Sequence, residues 1–415
     1  MAKLGEVCTI VSGSTPKTSI TSYWDGNIKW ITPAELNEDT FYIMDSVRHI
    51  TEEGKEKTGL SYLPTGTVIL SSRAPIGKTA IAGCEMCCNQ GFKNLICSDA
   101  IYNEYLYFFL KSKTDYLNSL GRGATFKEIS KSIVENIEIP LPEVNQQKEI
   151  AEKFKKLEQL ISLRKQQLAK LDELVKARFV EMFGDLAAPQ CEYPELKLVD
   201  VCADADDIKC GPFGTQLNKD EYKTKGVAVW EIPQINSGFS EMPTHFITEE
   251  KAVILNAYSI EPGDIAMSRK GNVGKCGLFP ENFKKGIIHS DVLRIRVDKR
   301  KVDSCFMMYQ LHFSEAVKRQ IEMVSFGAIM AGINVTKLKQ IKVRIPELEN
   351  QRMFAAFVER VNQQKQTVQQ SLEKLELMKK ALMQEYFGEL PQSPDGDSPL
   401  REGALTRPQG KSLPL

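Results

Sequence analysis

The 415 residues, 42% hydrophobic and 26% charged, suffice for two or three domains with a large core. Lysine plus arginine total 54 against 54 aspartate plus glutamate, so overall charge points to no polyanionic partner and any basic surface has to be local. The first residues lack a secretory signal's apolar core, and no apolar run nears the roughly 18 residues that span a bilayer, so a cytoplasmic protein without membrane contact is expected, its ten cysteines being buried thiols.

In chain order, residues 1–141 read as a first body of mixed α/β type. Strand-like apolar runs fall at 67–70 and 95–97 and a buried helix at 105–110, separated by Gly, Pro, Asn and Ser turns. Its polar, glycine-punctuated turns carry Arg73, Lys78, Asn89, Lys93, Arg122, Thr125 and Lys127. Glycine lets backbone amides approach a phosphate, and arginine or lysine can then neutralise it or read guanine. Residues 142–185 read as a long helix. Steps of four and three from Ile150 give Phe154, Leu157, Ile161, Arg164, Leu168, Leu171, Val175, Arg178 and Met182, an apolar seam with two polar interruptions. A 3.5-residue apolar period held over more than four heptads signals a coiled coil. Pro142 stands where such a helix begins, and Gly184 where a left-handed cap would end it.

Residues 186–345 repeat the mixed pattern, with strands at 264–267 and 292–297 and a helix at 305–311. Their candidate donors are Lys209, Gln216, Asn236, Arg269, Lys270, Lys275, Ser290, Asn334 and Lys337. Residues 346–388 hold a second long helix, its seam formed by Phe354, Val358, Val361, Lys365, Val368, Leu372, Leu375, Lys379, Leu382 and Tyr386. Residues 389–415, rich in Pro and Gly, are expected to be disordered.

The two halves are copies of one another. Residues 137–147 align with 341–351 at an offset of 204, which holds from Gly123 and Ala124 against Gly327 and Ala328 to Phe183 and Gly184 against Phe387 and Gly388. Upstream the match drifts: Leu4, Val7 and Cys8 face Leu198, Val201 and Cys202, Ser72 and Arg73 face Ser268 and Arg269, and Gly77 and Lys78 face Gly274 and Lys275. Two equal helices with weakly apolar outer faces are best satisfied by each other. The predicted pair packs through Phe154, Leu157, Ile161, Leu168 and Leu171 on one helix and Val358, Val361, Val368, Leu372 and Leu375 on the other.

Catalytic motifs fail in turn. Gly77-Lys78-Thr79 resembles the end of a phosphate-binding loop, but Ser72 occupies the position of its first glycine. No Gly-x-Gly-x-x-Gly follows a strand, and no Asn-Pro-Pro-aromatic or Asp-Pro-Pro-aromatic tetrapeptide of amino-methyltransferases occurs. Cys84 and Cys87 supply half a zinc site whose second half has no counterpart. His49, His245, His289 and His312 are scattered and read as structural. Asp185 with Glu195 and Lys197 has the residue types of a nuclease site at a frequency that chance explains. The expectation is a chain with no catalytic residue and no metal. Two classes remain, a DNA-reading module and a non-enzymatic coiled-coil scaffold that binds other proteins.

Three local patterns bear on that choice: Asn89-Gln-Gly-Phe92, Pro140-Leu-Pro142 with Gln147 five residues on, and Gly327 with Gly332-Ile-Asn334 leading into Pro346 and Gln351. With the duplicated architecture, they resemble the specificity (S) subunit of type I restriction-modification systems, over about Leu4 to Gly388. Arg344, in place of the first proline of the second Pro-x-Pro, departs from the pattern. The resemblance implies two target-recognition domains, each reading one part of a bipartite double-stranded DNA site, joined by two long antiparallel coiled-coil helices in an internal pseudo-two-fold repeat. It implies partners: two methyltransferase (M) subunits docked on the helices, and restriction (R) subunits. It also implies that this chain binds no cofactor, S-adenosylmethionine belonging to the M subunit and ATP and Mg to the R subunit. Arg73, Lys78, Lys93, Arg122 and Lys127 would then serve one half-site, and Lys209, Arg269, Lys270, Lys275 and Lys337 the other.

Overall fold

The computed structural model describes residues 1–37, 39–122, 127–188, 190–325 and 332–388. Two compact units emerge: Met1–Arg164 with the described residues from Ser371 onward, and Lys165–Gln370. Each unit takes one body together with part of both long helices.

In the first unit a five-stranded sheet orders the strands Cys8–Ser12, Phe92–Cys97, Val68–Ser71, Thr79–Ala82 and Tyr42–Ile43. Val68, Ile69 and Leu70 are all fully buried, because both faces of the sheet are covered, so the run is continuously apolar rather than alternating. The helix Asn103–Ser112 covers one face through Tyr105–Leu110. A second sheet orders Arg48–Ile50, Trp24–Ile31 and Cys87–Cys88, the last two parallel. Ala2–Lys3 pairs antiparallel with Glu138–Ile139, which closes the body just before the long helix.

The second unit repeats this scheme. One sheet orders Ile208–Cys210, Val292–Ile295, Ile265–Ser268 and Cys276–Leu278; the other orders His245–Ile247, Val227–Trp230, Gly286–Ile288 and Ser259–Ile260. Val227–Trp230 again runs parallel to its neighbour Gly286–Ile288. Glu195–Lys197 pairs with Lys342–Arg344 as the closing ribbon. Arg344, which departs from the Pro-x-Pro pattern, is used here: its guanidinium lies 3.2 Å from Glu195 and donates to the Tyr193 carbonyl at 2.9 Å. The mixed α/β expectation holds for both bodies.

The long helices are Val144–Phe183 and Leu348–Phe387, 40 residues each. Each begins two residues after its proline and ends at a glycine of positive φ, 67° at Gly184 and 72° at Gly388, a conformation only glycine adopts without cost. In the first unit Phe154 stacks between Phe108 and Phe387, with centroids 5.2 and 5.6 Å away, and Lys379 meets Glu158 at 2.7 Å. Residue numbers rise on one helix as they fall on the other, so these segments are antiparallel. In the second unit Phe354 lies 5.4 Å from Phe179 and 5.7 Å from Phe183, and Lys365 pairs with Asp172, which gives the same direction. Phe154, Leu157, Ile161, Val358, Val361, Val368 and Leu372 are buried, and Leu168, Leu171 and Leu375 half-buried. The lysines that interrupt the second seam are answered by carboxylates of the facing helix, which removes the cost of their partial burial.

One glutamine pins each helix to its body. Gln147, fully buried, donates from Nε2 to Ala100 O at 3.0 Å and Pro142 O at 2.8 Å, and its Oε1 accepts from Tyr102 N at 2.8 Å. Gln351 does the same with Pro346 O at 2.6 Å and Asp303 N at 2.9 Å. The Pro-x4-Gln pattern of the sequence is thus a structural clamp. Among the described residues no helix is long and apolar enough to cross a membrane.

Candidate nucleic-acid interface

The duplicated Gly-Lys turns follow equivalent strands and close in the same way. Gly77 N donates to Ser71 O at 3.0 Å and Ser71 N to Lys78 O at 2.8 Å; Gly274 N donates to Ser268 O at 3.0 Å and Ser268 N to Lys275 O at 2.7 Å. Both glycines have left-handed φ, 95° and 82°. These bonds equate Ser71 with Ser268, so Ser72 faces Arg269 and Arg73 faces Lys270, one residue away from the sequence alignment. The amides of Ile129 and Ile333, which donate to Ser72 O and Arg269 O, give the same register.

Three of the lysines expected to face DNA have partners within their own body. The Lys78 ammonium donates to Leu36 O at 2.6 Å and Pro33 O at 3.3 Å, and that of Lys275 to Asn236 O at 2.7 Å. Both are half-buried and tie down a turn after the parallel strand. Lys93 is buried and paired with Glu128 at 3.2 Å. The other Glu128 oxygen holds Arg73 Nε at 2.9 Å. Burial pushes the Glu128 carboxyl up, but Arg73 and Lys93 outweigh it and keep it below the usual carboxylate range.

The remaining candidates divide between rim and scaffold. Arg73, Arg122, Lys127, Gln216, Asn334 and Lys337 are exposed; Thr125 lies outside the described residues. Asn89 Oδ1 accepts from Gly91 N at 2.8 Å and shapes its turn. Gln216 Oε1 accepts from Phe213 N and the Tyr258 hydroxyl. Asn334 Oδ1 caps the helix Val335–Leu338 by accepting from Lys337 N. Lys209 pairs with Asp206 at 3.1 Å and Lys270 with Asp291 at 2.8 Å. Arg269 lies over the Phe213 ring, 4.8 Å from its centroid, and donates to Ile333 O. Asn236 contributes its carbonyl to Lys275, and Ser290 lines a cavity.

That cavity, about 580 Å³, lies in the second body and is walled by Gly214, Tyr222, Glu231, His245, His289 and Ser290. His245 Nδ1 is 2.7 Å from Glu231 Oε2, and the Tyr222 ring stacks on the imidazole with centroids 4.7 Å apart. Two histidines that read as scattered in the sequence, His245 and His289, wall one cavity. The parallel pairing of Val227–Trp230 with Gly286–Ile288 brings residues 231 and 289 side by side, His289 N donating to Trp230 O at 2.9 Å. No local signal announces a parallel pair, so Tyr222, Glu231, His245 and His289 were missed as site residues.

The residue types set aside in the sequence have separate duties. The Cys84 thiol lies 3.2 Å from Met44 O and that of Cys87 3.6 Å from Ser61 O. Burial pushes the Cys87 thiol up to about 11 and that of Cys88 up to about 12. All ten cysteines are free, and no group of three metal-ligating side chains occurs among the described residues. Glu195 serves the closing ribbon through Lys342 and Arg344.

Against known proteins, a family described as the type I restriction modification DNA specificity domain matches residues 1–173 and 204–377. The MjaIX specificity subunit of Methanocaldococcus jannaschii is 39% identical over 186 residues, 44% of this chain and 43% of that protein. The chain thus aligns with less than half the length of that relative. The MjaVIII specificity subunit of the same organism is 24% identical over 306 residues, 70% of each. Among solved structures, an S subunit from M. genitalium matches with a TM-score of 0.58 at 15% identity, over 94% of this chain and 96% of that one. A chain solved for the complex assembly and conformational transition of the type I R-M system gives 0.60 at 17%, over 94% and 97%. At these identities the structural likeness speaks for the fold.

Proposed function

The chain belongs to the type I restriction modification DNA specificity family, and from that premise we propose that it is the subunit through which a restriction-modification complex reads DNA. Each body reads one part of a bipartite double-stranded site. The long helices dock two M subunits, R subunits join that assembly, and the chain contributes no catalytic group. S-adenosylmethionine is held by the M subunit, ATP and Mg by the R subunit.

The observation that carries this reading is one scaffold used twice with different polar side chains at equivalent positions. Both bodies share the Gly-Lys turn, the half-buried supporting lysine, the parallel strand pair and the glutamine clamp. Beyond the parallel strands they diverge, Thr32, Asn89 and Gln90 standing where the other has Glu231, His289 and Ser290. A common frame with divergent tips is what two different half-sites require, since phosphate contacts position a protein and base contacts specify the sequence. A scaffold that binds proteins has no need of two divergent tips on one frame.

The test is a gel shift with the chain and its M subunit on duplex DNA over a salt series. Binding whose log affinity falls steeply with log salt, by about 0.9 for each phosphate engaged, supports the reading. No retardation at low salt would end it.

A further inference from the structure

We infer that each body reads bases with the four positions around the exit of its parallel strand pair: Thr32, Arg48, Asn89 and Gln90 in the first, Glu231, His245, His289 and Ser290 in the second. In the second body these line a pocket for a base edge that donates an amino hydrogen. The inference rests on the DNA-reading function proposed above and deepens it by naming the groups that specify sequence.

The equivalence comes from backbone pairing. Trp30 and Ile31 pair with Cys87 and Cys88 as Val229 and Trp230 pair with Ile287 and Ile288. Asn89 N donates to Ile31 O as His289 N donates to Trp230 O. On the other side, Trp30 pairs with Arg48 and Val229 with His245. The eight residues thus occupy four shared positions with no side chain in common.

The frame around them is rigid. A Cβ at Gly13 would collide with the Asn89 carbonyl and one at Gly211 with the His289 carbonyl, so both tips sit directly on a glycine backbone. Lys78 and Lys275 tie the turns that follow Thr32 and Glu231. Preorganised reading groups on such a frame lose little freedom on binding.

Charge selects the ligand. A carboxylate at a DNA-facing surface repels phosphate, so Glu231, held by His245, is suited to a base donor: the amino group of cytosine, or of adenine, in the major groove. The stacked Tyr222 and His245 rings give the pocket a flat wall. In the first body the Arg48 guanidinium lies 3.6 Å over the Trp24 ring, held in place for guanine, which arginine reads by a pair of hydrogen bonds.

The experiment uses the full chain with its M subunit, sequencing of methylated sites, and competition binding with single-base variants of the wild-type site. Glu231→Gln keeps the shape and removes the charge. It should relax one base position in one half-site, with discrimination there falling roughly five- to hundredfold and the melting temperature and the other half-site unchanged. Arg48→Gln should relax one position in the opposite half-site. Unaltered specificity in Glu231→Gln and His245→Ala, or a uniform loss on all sequences with discrimination intact, would overturn the assignment. Wild-type complex that binds no DNA would remove the DNA-reading function itself and this inference with it.

Discussion

Replacing Lys78 by methionine separates the two roles open to its ammonium. Methionine retains the apolar stem and removes the charge that donates to Leu36 O at 2.6 Å and Pro33 O at 3.3 Å. A hydrogen bond from a charged group contributes about 1.5–3 kcal/mol, and the longer contact adds little, so the substitution should destabilise the protein by about 2 kcal/mol. Urea unfolding reads that loss as a lower midpoint at unchanged slope. In the same samples the slope of log affinity against log salt should stay at the wild-type value, because no phosphate contact has gone. Arg122→Ala provides the contrast: the side chain is exposed, so stability should hold while the slope falls by about 0.9. A Lys78→Met protein of wild-type stability whose salt slope drops by one phosphate would refute the positioning role.

Phe154→Ala should cost about 3–5 kcal/mol in denaturant unfolding, since the ring is fully buried between Phe108 and Phe387, while Leu163→Ala, 51% exposed on the same helix, should change stability by less than about 0.5 kcal/mol. Burial pushes the Glu158 carboxyl up, but Lys111 at 3.1 Å and Lys379 at 2.7 Å outweigh it and hold it below its ordinary 4.5. A carboxyl depressed in the folded state stabilises fully above its unfolded value and progressively less as pH falls through the folded one. The stability gap between wild type and Glu158→Gln should therefore be constant near neutrality and shrink below pH 4.5, as urea midpoints over a pH series will show. Removing one heptad between Leu157 and Arg178 and the matching seven residues between Val361 and Leu382 takes out about 10 Å of helix. Sequencing of methylated sites should then reveal a shorter spacer with the same half-site bases.

The helices were legible because their physics is local and periodic. A seam repeating every 3.5 residues, a proline at the start and a glycine at the cap placed both within two residues of Val144–Phe183 and Leu348–Phe387. The strands at 68–71 and 265–268 were legible as apolar runs between turns. The interface was less so. A lysine after a glycine turn looks the same in sequence whether its ammonium meets a phosphate or the Leu36 carbonyl, and only the fold decides. Glu231 and His289 are far apart in the chain and meet through a parallel pair, which leaves no hairpin signal. A capping pattern was present, Thr32 with Glu35 and Glu231 with Gln234, and would have marked the two turns as equivalent. The phenylalanines at 183 and 387 fall one residue past the last seam positions, yet Phe183 packs on Phe354 and on Phe306 of the second body, and Phe387 on Phe154 and on Phe109 of the first, contacts that no 3.5-residue period marks.

Two bodies with different tips should read two different sequences. Expression of the chain with its M subunit in cells that lack other methylation, followed by genome-wide sequencing of the methylated positions, reads both at once. The methylated sites should form one interrupted motif: two short, dissimilar specific sequences on either side of a spacer of fixed length and free composition. A single continuous motif, two identical halves, or methylation without sequence preference would contradict it.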